Sequence, residues 1–258
     1  MRIVRSIADL QLAGEIGLVP TMGALHDGHR SLFRAARAEN ELVVASLFVN
    51  PAQFGDAADL AAYPRDEARD AGIASECGVD VLFAPPAEEM YPPGFGTWVD
   101  VEGLGAEGDA RPGHFRGVAT VCVKLFNIVR PRRAYFGQKD AQQGALLRRL
   151  VRDLDLPVEV RLLPTVRDAD GLAWSSRNVL LSAEERTEAL ALPRALRAGA
   201  EALGRGGDPV AAARARLNGL TPDYVEIVDL DGATVLAAAV RIGTTRLIDN
   251  VLLEGELR

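Results

Sequence analysis

Short apolar runs and helical stripes alternate along the first half of the chain. Residues 17–21 form a brief apolar run that ends in a loop. Residues 41–49 are almost continuously apolar, and residues 79–84 repeat the pattern, as parallel strands covered on both faces require. Between these runs, residues 31–40 place Leu32, Phe33, Ala35 and Ala36 on one helical stripe, and residues 66–77 also read as a helix. A Gly- and Pro-rich stretch from 85 to 113 breaks the rhythm, with a short strand expected at 98–101. A helix over 117–129, a strand over 133–136, a helix over 140–154 and a strand over 159–163 follow. This order predicts an α/β fold: a doubly wound, Rossmann-like parallel sheet over residues 1–168.

After Pro164 the pattern changes. Residues 182–203 read as one long Ala/Leu/Arg helix opened by a capping box at Ser182 and Glu185. A second helix over 208–218 is capped by Asp208 with Pro209 at its first position. Residues 224–229 and 246–252 read as antiparallel strands. Residues 169–258 are therefore expected to form a small α+β C-terminal lid domain.

Composition narrows the function classes. With 48% hydrophobic and 25% charged residues, the chain is ordinary for a globular protein. Net charge is −7, and the one dense basic cluster is Arg130, Arg132 and Arg133, which argues against a nucleic-acid partner. No apolar run reaches the ~18 residues of a membrane helix, and the N-terminus lacks the apolar core of a signal peptide. Cys77 and Cys122 sit among apolar residues and read as buried thiols, which fits a reducing cytoplasm. Lys124 and Lys139 are the only lysines among 29 Lys and Arg residues, so each marks a place where a compact ammonium could be needed.

Five segments carry candidate chemistry. Residues 20–29, Pro-Thr-Met-Gly-Ala-Leu-His-Asp-Gly-His, link the first strand to the first long helix. A helix N-terminus at the carboxyl edge of such a sheet suits phosphate, Gly28 permits close approach, and His26 and His29 share one face. As donors they would stabilise charge developing in phosphoryl displacement. A metal pair and a simple helix cap are the competing readings. Residues 135–143, Tyr-Phe-Gly-Gln-Lys-Asp-Ala-Gln-Gln, repeat the strand–loop–helix arrangement. Asp140 is the expected N-cap, Lys139 sits beside the helix start, and Gln143 shares its face. In residues 168–178, Ser175, Ser176 and Arg177 suit a mobile loop over a triphosphate, against the alternative of caps around a turn. Asn50 and Gln53 offer neutral amides after the second strand, or simply open a turn. His114 lies in a loop ahead of an apolar helix, with a satisfied structural histidine as its plain reading. No Ser/His/Asp or Cys/His nucleophile pattern and no metal-ligand cluster appears.

Taken in order, Pro-Thr-Met-Gly-Ala-Leu-His-x-Gly-His, Phe-Val-Asn-Pro-x-Gln-Phe-Gly, Tyr63-Pro64-Arg65, Phe-Gly-x-Lys-Asp-x-Gln-Gln and Ser-Ser-Arg-Asn closely resemble the pantoate–β-alanine ligase family, within the His-x-Gly-His nucleotidyltransferases. The resemblance implies that the carboxylate of (R)-pantoate attacks MgATP to give pantoyl adenylate and pyrophosphate. The β-alanine amine then displaces AMP to give pantothenate. It implies that His26 and His29 contact phosphate, with His26 as proton donor, and that Lys139, Ser175, Ser176 and Arg177 hold phosphates. Gly28, Gly137, Asp140 and Val166 would meet the nucleotide. Pro20, Met22, Gln53 and Gln143 would line the pantoate site, Met22 also touching ATP. Asp70 would hold Mg2+, through water if at all. A cytoplasmic homodimer, joined through the first domain, completes the expectation. Gln138, Ala141 and Trp174 depart from the family's usual acidic, aromatic and Met residues.

Overall fold

The computed structural model describes residues 1–217, 219–230 and 232–257. Internal contacts divide the chain into two compact units. One comprises Met1–Gly103, Arg111–Phe136 and Leu146–Leu163; the other comprises Leu104–Ala110, Gly137–Ala145 and the chain from Pro164 onward. This differs from a single cut near residue 168. Ala106, Ala141 and Ala145 join a core with Tyr224, Leu230, Val235 and Ala237, so two early segments are built into the later unit.

In chain order the elements up to residue 163 are β1 (Arg2–Val4), β2 (Ile16–Thr21), α1 (Asp27–Glu39), β3 (Leu42–Leu47), α2 (Ala57–Ala62), α3 (Glu67–Glu76), β4 (Val81–Phe83), α4 (Ala87–Met90), α5 (Glu107–Ala110), α6 (His114–Val129), β5 (Arg133–Gly137), α7 (Ala141–Asp153) and β6 (Glu159–Leu163). The six strands form one sheet in the order β1-β4-β3-β2-β5-β6, with parallel pairing of β1 with β4, β4 with β3, β3 with β2 and β2 with β5. Val19, Val43, Ala45 and Leu82 pack with Leu32, Phe33 and Ala36 of α1 and Ile73 and Ala74 of α3. Leu18 and Val44, one residue out of phase, face the other side, where α6 lies against β2. From β2 the strands step outward to β4 and return to β5 on the opposite flank of β2. The carboxyl end of β2 is therefore the topological switch point, where ligands of such sheets bind.

The later unit holds α8 (Ala183–Ala189), α9 (Ala191–Gly204), α10 (Pro209–Arg216), β7 (Pro222–Asp229), β8 (Ala233–Ile242) and β9 (Thr245–Gly255). Its three strands are antiparallel, in the order β7-β8-β9. The fold class is thus the one the pattern predicts, with five local corrections. The expected helix over 182–203 is two helices meeting at Leu190, because Pro193 has no N–H to offer the turn before it. The central strand β8 was not expected, since its Ala-rich core positions lack the β-branched signature. Strand β1 was not expected either. Residues 98–101 form no strand among the described residues: Trp98 stacks on Tyr91 at 6.1 Å between ring centroids, and the Val99 N–H donates to the Thr120 hydroxyl at 3.0 Å. The helix expected over 208–218 ends at Arg216, and Asn218 lies outside the described residues.

Candidate active site

In the first unit, β2 ends at Thr21 and α1 begins at Asp27, so the intervening loop must satisfy the first amides of the helix. Two histidines do this. The His26 Nδ1 accepts from the Gly28 N–H at 3.1 Å, and the His29 Nδ1 accepts from the His26 N–H at 3.3 Å. This is a capping box built from imidazoles, and it explains why α1 starts before the apolar stripe seen in the sequence. The rings lie 4.2 Å apart at 50°. Because each Nδ1 is an acceptor, each neutral ring carries its proton on Nε2. Two N–H donors are thereby fixed at a helix N-terminus, beside its partial positive charge. Of the competing readings, the helix cap is realised. No group of three or more His, Cys, Asp or Glu side chains placed to hold a metal occurs among the described residues.

The loop ahead of His26 is held from below. Gly23 (φ 89°) and Ala24 (φ 50°) both adopt left-handed backbone, which an alanine does only at a cost. The Asp70 carboxylate offsets it, accepting from the Ala24 and Leu25 N–H groups at 2.8 Å each. A Cβ on Gly23 would stand 2.9 Å from Asp70 Oδ2, so glycine is required there. Asp70 is 1% exposed. In this structure both of its oxygens accept backbone N–H groups of the loop.

Asn50 and Gln53 separate in role. Asn50 is 1% exposed and caps the 3-10 turn Pro51–Gln53. Its Oδ1 accepts from the Tyr91 hydroxyl at 2.8 Å, and its Nδ2 donates to Gln53 Oε1 at 3.0 Å and to the Gly117 carbonyl at 3.1 Å. Gln53 is half-buried, and this bond assigns its carbonyl end to Asn50, which leaves its Nε2 as the donor end. His114 is buried and contacts the Gln53 carbonyl through Nδ1 at 2.9 Å, while Arg111 lies 3.2 Å from its Nε2 and donates to the same carbonyl at 3.3 Å. His114 is therefore a structural support of the Gln53 turn. Burial pushes the Tyr91 hydroxyl well above its ordinary pKa, so it stays a donor to Asn50. Neither Tyr91 nor Gly117 stood out in the sequence; the second was hidden because its role, close approach to the Ala52 carbonyl, depends on a partner 65 residues away. Pro20 and Met22 are half-buried at the end of β2 and the start of the loop.

The second unit holds the remaining candidates. Gly137, Gln138, Lys139 and Asp140 form a loop and 3-10 turn that runs directly into α7. Asp140, expected as the N-cap of α7, is itself the last residue of that turn. Lys139 is 20% exposed, with Nζ 3.7 Å from Asp140 Oδ2. The adjacent glutamines diverge: Gln142 is buried, accepting from the Glu107 N–H at 3.1 Å and donating to the carbonyls of Leu104 and Gly105, while Gln143 is half-buried on the next helical position. Val166 accepts from the Trp174 N–H at 3.0 Å across a hairpin. Ser175 caps a 3-10 turn, its hydroxyl accepting from the Arg177 N–H at 3.2 Å. Ser175, Ser176 and Arg177 are all half-buried at the start of this turn. Of the family departures, Gln138 donates to the Leu257 carbonyl, and Ala141 is buried in the core shared with the antiparallel sheet.

Comparison with known proteins bears on this arrangement. The family model described as pantoate-beta-alanine ligase matches residues 2–252. The pantothenate synthetase of Roseiflexus castenholzii is 54% identical, covering 98% of this chain and 100% of that protein. A crystal structure of pantothenate synthetase from Thermus thermophilus superposes with a TM-score of 0.93 at 49% identity, covering 98% of this chain and 99% of that one. The pantoate-beta-alanine ligase of Francisella tularensis, solved as a complex with beta-gamma ATP and beta-alanine, gives a TM-score of 0.84 at 35% identity over 100% of both chains.

Proposed function

The chain belongs to the pantoate-beta-alanine ligase family, and on that premise we propose how its own residues carry out the reaction. It is an enzyme that joins pantoate to β-alanine at the expense of ATP. The route is adenylation. A pantoate carboxylate oxygen attacks the α-phosphorus of ATP, the P–O bond to pyrophosphate breaks, and pantoyl adenylate forms. The β-alanine nitrogen then attacks the acyl carbon, the C–O bond to AMP breaks, and the amine proton is released. Neither step needs a protein nucleophile, which agrees with a site built from donors and amides.

The observation that carries this reading is the pair of imidazoles whose Nδ1 atoms are taken up by the backbone amides of α1. Their Nε2–H groups serve as fixed donors to phosphate oxygens, where charge builds in the transition state. Lys139, Ser175, Ser176 and Arg177 hold further phosphate oxygens, and Gly28, Gly137, Asp140 and Val166 accommodate the nucleotide. Gln53 and Gln143 bind pantoate with neutral amides, beside Pro20 and Met22. A neutral amide leaves the attacking carboxylate nucleophilic, whereas an arginine clamp would stabilise it in the ground state. Mg2+ would enter with ATP and supply charge neutralisation at the phosphates; Asp70, whose carboxylate also anchors the loop before His26, is the candidate carboxylate for it, through water. The enzyme is assigned to the cytoplasm, consistent with two free, buried cysteines. No helix among the described residues is long and apolar enough to cross a membrane. It is assigned a homodimeric state on the family resemblance, and sedimentation should report twice the 27.6 kDa chain mass.

Pantoate labelled with 18O in its carboxylate tests the route. Label should pass to the phosphate of AMP, because the adenylate's bridging oxygen leaves with it. Label recovered only in pantothenate and water would contradict adenylation. A product that retains the nucleotide would instead favour a nucleotidyltransferase.

A further inference from the structure

Two loops of the second unit carry the proposed phosphate ligands, and one edge strand touches both. On β9, the Asn250 side-chain amide donates to the carbonyls of Gln138 at 2.9 Å and Lys139 at 2.8 Å. The neighbouring Asp249 carboxylate accepts both arms of the Arg167 guanidinium, at 2.6 and 2.9 Å, and the Asn250 N–H at 2.8 Å. Arg167 also donates to the Asn250 carbonyl at 3.3 Å and the Gly171 carbonyl at 3.2 Å. Residues 167 and 173 pair across the hairpin that leads into Ser175. Asp249 is 2% exposed and Asn250 7%. Adjacent residues on a strand point to opposite faces, so one strand reaches each loop from its own side.

We propose that Asp249 and Asn250 are positioning residues that fix the Lys139 loop and the Ser175–Arg177 loop in one register for the nucleotide phosphates. This rests on the assignment of Lys139 to phosphate given above. Several features favour a dedicated role over ordinary packing. The Gln138 and Lys139 carbonyls lie in a 3-10 turn at the start of α7, and the Asn250 amide donates to both. The bidentate Arg–carboxylate geometry is the directional kind. The Asp249 carboxylate is buried while Arg167 is partly exposed, so the guanidinium is held in a fixed orientation from the protein side.

The test is a double-mutant cycle on kcat/KM for ATP in pantoate-dependent adenylation. Asn250→Asp keeps the shape and removes both donors. Expected is a loss of about tenfold or more in the otherwise native enzyme, carried mainly by KM for ATP. On a Lys139→Ala background the same change should cost less than about twofold, because a residue that acts through Lys139 has nothing left to position. Equal losses on both backgrounds would overturn the proposal, since a merely structural role is blind to Lys139. If Lys139→Ala alone proves harmless, the phosphate assignment fails first and this proposal with it, which distinguishes the two failures. Should Asn250→Asp not fold, Asn250→Ser, shorter and uncharged, carries the same comparison.

Discussion

His26 and His29 each give one ring nitrogen to the backbone of α1, and that single arrangement sets tautomer, orientation and chemistry together. Asp70 works one layer below, on the two amides that precede His26. An asparagine there would offer one acceptor and one donor to two N–H groups. Asp70→Asn is therefore expected to cost about 1–3 kcal/mol in denaturant unfolding and to raise KM for ATP; stability equal to the parent would refute the anchor. The sequence made the reactive types legible at this scale, because His-x-Gly-His, Lys-Asp and Ser-Ser-Arg each gather polar, charged or hydroxyl residues within a few positions. It did not separate contact from support. Asn50 looked as able as Gln53 to bind a ligand, and only the Tyr91 hydroxyl and Gly117 carbonyl show that it is fully engaged within the protein. The anchoring role of Asp70 was hidden for the same reason: its amide partners lie about 45 residues away in sequence.

Elements position these groups through close contacts that tolerate little change. A Cβ on Gly117 of α6 would stand 2.3 Å from the Ala52 carbonyl oxygen. Gly117→Ala should destabilise by about 1–3 kcal/mol. It should also raise KM for pantoate more than KM for ATP, since it displaces the turn that carries Gln53. Steady-state kinetics with each substrate varied would decide this. At the other end of α1, the buried Tyr135 hydroxyl of β5 accepts from Asn40 at 2.6 Å and donates to Glu39 at 3.0 Å. Desolvation raises its pKa from 10.0 to about 12. The folded state thus binds this proton more tightly than the unfolded state. The resulting stability is complete below pH 10 and is lost as pH rises toward 12. Unfolding free energies measured across that window should fall, and Tyr135→Phe should flatten part of the fall; an unchanged slope would contradict the assignment. Element boundaries were legible where a cap or a long apolar run marked them, as at Ser182 and over β3. They were not legible where alanine replaced β-branched residues, as in β8, or where Pro193 interrupts an otherwise helical pattern.

For the whole molecule, the alternation of strand and helix was enough to give a doubly wound sheet and a smaller antiparallel unit. The way the chain is shared between compact units was not readable, because it depends on small residues. Ala106, Ala141 and Ala145 join the later core, and Arg246 reaches Glu107 at 2.7 and 2.8 Å. Arg246→Met removes the guanidinium from the Glu107 carboxylate, which keeps its Tyr224 hydroxyl donor, and from Asp223. It should cost about 3–5 kcal/mol, read as a lowered melting temperature of the later unit.

The central claim is that fixed imidazole donors and the Lys139 ammonium stabilise charge on the phosphates of one ATP. Pantoate-dependent exchange of labelled pyrophosphate into ATP measures that step without β-alanine. His26→Ala and Lys139→Ala should each slow exchange by roughly 100-fold or more, the scale for loss of a preorganised donor. Near-parental exchange in both variants would contradict the account.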